Sequence, residues 1–177
     1  MIPLVISGLI IFDFSGQADR EGRRIVNDGV MGGLSRSEMT FTTDSTAVFI
    51  GVVSLANDGG FASVRSGRSD FDLGGYAGIE VRAYGDGRSY QLRLRTGAGY
   101  GGVAYKFDFD TDKDRWVTIR APFSEFEATF RGRRMKDHPP LVPADIKHIG
   151  FLIADGRAGP FRLELDSVSA FSAGDGD

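Results

Sequence analysis

With 177 residues, 41% of them apolar and 25% charged, the chain can bury a sizeable core without covalent staples and lacks the composition of a disordered one. Its net charge of −3 weighs against a general nucleic-acid binder. There is no cysteine, which excludes disulfide frameworks and thiolate metal sites and is compatible with a reducing compartment.

The opening stretch, MIPLVISGLIIF, has no basic n-region and no small-residue cleavage site, and Asp13 cuts it short. It is far shorter than the roughly 20 apolar residues that cross a bilayer. It reads as one or two buried strands, with a lipid-surface contact as the minor alternative. Residues 37–42 and 47–54 are strand-like and joined by Thr43, Asp44, Ser45 and Thr46, which predicts a hairpin. Further on, Ile79, Val81 and Ala83 alternate with Glu80, Arg82 and Tyr84, and Tyr90, Leu92 and Leu94 alternate with Gln91, Arg93 and Arg95. Gly85, Asp86 and Gly87 mark a turn between these runs. Val103, Tyr105, Phe107 and Phe109 continue the same period, followed by short apolar runs over 116–120, 148–154 and 160–171. Short helical turns fit 123–126 and 143–147. No long helical period occurs. About ten strands at this spacing imply an all-β antiparallel sandwich in a single domain, 1–171, with a loose acidic tail over 172–177.

One device occurs twice: Asn27-Asp28-Gly29 in VNDGVMGGLSRS, and Asn57-Asp58-Gly59 in SLANDGGFASVR. The first copy enters the predicted hairpin and the second leaves it, so both loops are expected at the same end of the sandwich. Two or more of Gly32, Gly33, Gly59 and Gly60 are expected in backbone conformations closed to alanine. Met31, between glycines, reads as an anchor packed under its loop. Phosphate cradling does not fit, because neither G-x-x-x-x-G-K-[ST] nor G-x-G-x-x-G is present.

The two loop segments, VNDGVMGGLSRS and FIGVVSLANDGGFASVR, resemble the domain of the complex I intermediate-associated protein family. The resemblance continues through Trp116-Val-Thr-Ile, Pro122-Phe123, Phe126, Arg131-Gly132-Arg133 and Gly159-Pro-Phe-Arg-Leu-Glu-Leu-Asp166. It covers about residues 10 to 171. Arg24 and Ile25 stand where the family usually has an aromatic. The resemblance implies a galactose-binding-like jelly-roll β-sandwich and a role in assembling respiratory complex I through protein contacts. The chain is read as a bacterial member, cytoplasmic and peripheral to the inner membrane.

Catalytic signals are weak. Gly33-Leu-Ser35-Arg-Ser37 falls short of G-x-S-x-G, and the histidines, His138 and His148, sit before two prolines and at a strand edge. The chain is read as no enzyme, with no cofactor and no metal. Asp108, Asp110, Asp112 and Asp114 alternate like a calcium loop, but Lys113 and Ile119 stand where an EF-hand needs glycine and glutamate, so an acidic turn is the reading. Jelly rolls of the kind the resemblance implies often carry a structural calcium joining the ends of the chain, which makes Asp13 and Asp166 remote candidates. Arg82, Gln91, Arg93, Arg95 and Lys106 are expected to project from one polar sheet face with Tyr84 nearby. Planar arginines suit carboxylate, phosphate or sugar partners, and the basic run Arg131, Arg133, Arg134 and Lys136 reads as a second patch in a long loop. Two readings follow. In the first, a protein partner, such as a complex I subunit, meets Asn27, Asp28, Met31, Asn57, Asp58 and Phe61. In the alternative, Arg82, Arg93 and Arg95 read a carbohydrate or small anion, with Trp116 and the tyrosines as platforms if they face outward. The lack of an export signal weighs against a polysaccharide binder.

Overall fold

The computed structural model describes residues 8–97 and 102–174, so readings that rest on residues 1–7 and on 175–177 of the tail lie outside the described residues. Thirteen strands occur among the described residues. In chain order they are β1 (Gly8–Phe12), β2 (Arg24–Ile25), β3 (Arg36–Phe41), β4 (Ala47–Val53), β5 (Ala62–Arg65), β6 (Gly78–Tyr84), β7 (Ser89–Arg95), β8 (Ala104–Asp110), β9 (Trp116–Pro122), β10 (Glu127–Phe130), β11 (Arg133–Arg134), β12 (His148–Ile153) and β13 (Gly159–Phe171). One short α-helix, Gln17–Arg20, and four 3-10 turns complete the order. Two of those turns, Phe123–Glu125 and Pro143–Asp145, fall where the sequence places them.

The strands form two antiparallel sheets. One has the order β3-β4-β13-β6-β9 with β1 also on β13; the other has the order β11-β10-β8-β7-β12-β5-β2. The long β13 organises the first sheet. Its start pairs with β4, from Gly159 opposite Val53 to Leu165 opposite Ala47, and its end pairs with β1 and β6. A register shift between Leu165 and Ser167 bulges the strand at the changeover.

The period-two pattern does what it should in an antiparallel sandwich: one face of each sheet is apolar and packs on the other. From the first sheet, Phe49, Ile79, Val81, Leu163 and Leu165 are buried; from the second, Tyr90, Leu92, Leu94, Ile149 and Ile153 are buried. Phe161 ties the layers together, with its ring centroid 4.9 Å from Phe49 within its sheet and 6.4 Å from Tyr90 across the core.

Two local expectations are corrected. The opening strand β1 is only partly buried: Leu9 and Ile10 are exposed, while Ile11 packs half-buried against the core and Phe12 enters it, because β1 borders β13 alone at the sheet margin. The basic run after Phe130 is not a long loop but a tight hairpin, with Arg131 and Gly132 at positive φ joining β10 to β11. No helix among the described residues is long and apolar enough to cross a membrane.

Candidate functional site

The β3–β4 hairpin brings both Asn-Asp-Gly loops to one end of the sandwich. The first forms a 3-10 turn over Asp28–Met31 and the second a shorter one over Ala56–Asp58. They touch directly: the Asn57 Nδ2 amide donates to Gly32 O at 3.2 Å, and Asp28 N donates to Phe61 O at 3.2 Å.

Asp28 is the centre of this end and is fully buried. Its Oδ1 accepts from Ser35 N at 2.9 Å. Its Oδ2 accepts from Ser35 Oγ at 2.5 Å, Gly60 N at 2.7 Å and Phe61 N at 3.3 Å. One carboxylate thereby satisfies donors from both loops, which a buried charge requires. Burial pushes its pKa up, but the hydrogen bonds from Gly60, Ser35 and Phe61 outweigh that and hold it below the ordinary carboxylate value of 3.8. Ser35 extends the link, accepting from Ser54 N at 2.9 Å at the end of β4. Asn27 does similar work beside it: its Oδ1 accepts from Ser37 Oγ at 2.7 Å and from Ser63 N at 3.2 Å.

The glycines serve this packing in two ways. Gly32 at φ 87° and Gly60 at φ 130° hold conformations that favour glycine. Gly33 and Gly59 instead make room: a Cβ at Gly33 would lie 2.3 Å from Asp28 Cγ, and one at Gly59 would lie 2.6 Å from Asp28 Oδ2.

The two copies of the motif are therefore not equivalent. Asn27 and Asp28 face inward and hold the loops, whereas Asn57 and Asp58 are exposed at φ 56° and 57°. Phe61 is half-buried. Met31 is not packed beneath its loop; it is 66% exposed, because Asp28 and the glycines fill the space under the turn. With it, Val30 at 73%, Leu34 at 60% and Leu55 at 45% exposure crown the same loop end. Sequence reasoning missed these three aliphatics. Their signal was present: they fall outside any alternating run, so no sheet face was available to bury them.

The arginine grouping is also corrected. Arg82 lies on β6 in one sheet, while Arg93 and Arg95 lie on β7 in the other, so they cannot share a face. Arg82 lies over the Trp116 ring at 5.0 Å and pairs with Asp166 at 3.5 Å, and Trp116 packs edge-on to Tyr84. Gln91 and Lys106 do stay with Arg93 and Arg95: Lys106 is the cross-strand partner of Arg93, and Gln91 accepts from Arg93 Nη1 at 2.9 Å. Arg65, on β5 of the same sheet, joins this face and is 8% exposed. Its signal was the alternation of Ser63 and Arg65 with Ala62 and Val64. Among the described residues no three His, Cys, Asp or Glu side chains cluster as a metal site. Ser35 Oγ donates to Asp28 Oδ2, but both residues are buried and that oxygen also accepts from Gly60 N and Phe61 N, so the pair holds the loops together.

Residues 12–165 match the family described as Complex I intermediate-associated protein 30 (CIA30). The chain belongs to that family. It is 27% identical over 183 residues to the mitochondrial Complex I intermediate-associated protein 30 of Drosophila melanogaster, covering 90% of this chain and 61% of the relative. It is 29% identical over 106 residues to the protein of the same name from Mus musculus, covering 58% of this chain and 32% of that one. The chain thus spans less than two thirds of either relative. Both are eukaryotic, so they lend no support to a bacterial origin. Among solved structures, a family 11 carbohydrate-binding module from a Clostridium thermocellum cellulase matches with a TM-score of 0.71 at 17% identity, covering 94% of this chain and 95% of that one. A family 29 carbohydrate-binding module matches with a TM-score of 0.55 at 13% identity, covering 96% of each chain. These likenesses agree with the two-sheet β-sandwich described above, here in a CIA30 family member.

Proposed function

We propose that this chain is a non-enzymatic binding domain that acts by protein–protein contact during assembly of respiratory complex I, with the paired Asn-Asp-Gly loops as its contact surface. The observation that carries the reading is the contrast within those loops. Beneath, Asp28, Ser35 and Asn27 bind both loops into one rigid unit; above, Val30, Met31, Leu34 and Leu55 stand in solvent. Aliphatic side chains held outward on a fixed base are what a partner's pocket can bury at small ordering cost. The exposed Asn57 and Asp58 supply a polar rim. Family membership and the names of the relatives support a partner class of complex I subunits. The compartment follows from that partner: peripheral to the membrane that carries the complex, with the arginines of the β10–β11 hairpin as one basic element available to anionic head groups.

The carbohydrate alternative draws on one observation, the outward cluster of Trp116, Tyr84 and Arg82 on the first sheet. That cluster is small, and Arg82 is already engaged by Asp166.

The test is recovery of partners by the tagged chain from its native host, identified by mass spectrometry. The wild type is expected to recover complex I subunits. Val30→Ser, Met31→Ser, Leu34→Ser and Leu55→Ser combined should lose them while melting like the wild type, and Arg93→Gln with Arg95→Gln should retain them. Recovery that survives the loop changes and fails with the arginine changes would place the surface on the sheet instead. No recovery in any form, together with a positive glycan screen, would discard the assembly reading.

A further inference from the structure

The outer face of the seven-stranded sheet gathers positive charge around one glycine. Gly150 on β12 is the cross-strand partner of Arg65 on one side and of Arg93 on the other, and His148 is the partner of Arg95. At two strand spacings, Arg65 and Arg93 stand about 10 Å apart at their Cα atoms. Between them Gly150 presents no side chain. A Cβ there would lie 2.5 Å from Val64 O and 3.1 Å from Arg65 Cβ, so the notch is built into the strand packing.

Arginines normally leave such a position for solvent or take a carboxylate. Here Arg65 is 8% exposed, and Arg93 and Arg95 are half-buried. Among the described residues, neither Arg93 nor Arg95 forms an ion pair. Arg93 donates to Gln91 Oε1 and, at 3.3 Å, to Thr129 Oγ1, while its buried Nε has no hydrogen-bond partner among the described residues. Arg95 donates to Gly102 O at 2.9 Å. Of the acids on this face, Asp108 is held by Lys106 at 2.7 Å, and Glu127 is taken by Arg134 at 3.1 Å. Burial, together with Arg65 and Arg93, lowers the pKa of Arg95 to about 10, and burial and Arg65 lower that of Arg93 against the pull of Asp108. The cluster is thus a set of like charges in a place that penalises them.

We propose that Arg65, Arg93 and Arg95 form a phosphate-binding site over Gly150. Guanidinium groups present paired N–H donors that match phosphate oxygens, and a dianion offsets the mutual repulsion of three cations. The outward strand positions around Gly150, namely Ser63, Arg65, Gln91, Arg93, Arg95 and Leu152, include no aromatic ring on which a sugar could stack. The phosphate comes either as a soluble ion or as a lipid headgroup, and the chemistry of the site is the same for both.

The probe is inorganic phosphate, compared with sodium chloride at equal ionic strength. Phosphate is expected to raise the melting temperature of the wild-type chain by about 2–4 °C over chloride. Arg93→Gln with Arg95→Gln should abolish that rise, and in chloride the variant should melt no lower than the wild type, since repulsion is relieved; a merely structural role would lower it in both salts. Should that variant fold poorly, backbone amide signals of Gly150 and Leu152 in the wild type are expected to shift saturably with phosphate. Vesicles of phosphatidylcholine with phosphatidic acid then separate the sources: binding that phosphate competes away assigns a headgroup, and no vesicle binding assigns the soluble ion. Equal melting in phosphate and chloride, with no saturable shift at Gly150, would overturn the proposal.

Discussion

Asp28 is the residue on which the loop end depends. Removing its carboxylate strands four donors from two loops, three of them backbone N–H groups. Asp28→Ala is expected to cost about 2–4 kcal/mol, the range for buried donors left unsatisfied. Asp28→Asn should cost nearly as much, because its amide would turn N–H groups toward N–H donors. Equilibrium unfolding in urea measures both, and a loss under about 1 kcal/mol for either would contradict the assignment. The same residue sets an acid limit. Its folded pKa is depressed, so its contribution is fully present above the unfolded value of 3.8 and drains away as pH falls through the lower folded value. The wild type should therefore lose more stability below pH 3.8 than Asp28→Ala does, which melting curves across that window would show.

At the scale of elements, the loop glycines separate into two kinds. Gly33→Ala and Gly59→Ala push a methyl onto the Asp28 carboxylate and should each cost about 1–3 kcal/mol. In an Asp28→Ala background the cost of Gly59→Ala should shrink, since the closest clashing atom is gone. Gly32→Ala, with open space around its Cβ and only backbone strain to bear, should cost the same in both backgrounds. Additivity for Gly59 would show that the contact does not constrain the loop. Much of this element was legible: the hairpin register that co-locates the loops follows from two strand-like runs and a short turn. What was not legible is which copy of the motif turns inward. Asn27-Asp28 and Asn57-Asp58 are the same letters, and only the position of Ser35, Gly60 and Phe61 in space makes the first one the internal hub.

At the scale of the molecule, alternation predicted which side chains are buried but not which sheet a strand joins. Arg82 and Arg93 sit on strands adjacent in sequence, separated by the Gly85–Gly87 turn. That turn crosses from one sheet to the other: β6 pairs with β13 and β9, while β7 pairs with β8 and β12. A period of two carries no information about such a crossing, and the polar residues of both outer faces look alike. The result is a molecule with separated surfaces: an aliphatic crown on the loop end, a charge-paired outer face on the first sheet, and an arginine-rich face on the second. The proposed assembly function rests on the crown. In a host strain lacking its own copy, the amount of mature complex I on a native gel tests that assignment most directly. The wild-type chain and the Arg93→Gln, Arg95→Gln variant should restore it, whereas the variant with serine at Val30, Met31, Leu34 and Leu55 should leave partly assembled complex at the level of the deletion. Full restoration by a stably expressed serine variant, or a deletion that leaves complex I unchanged, would contradict the account.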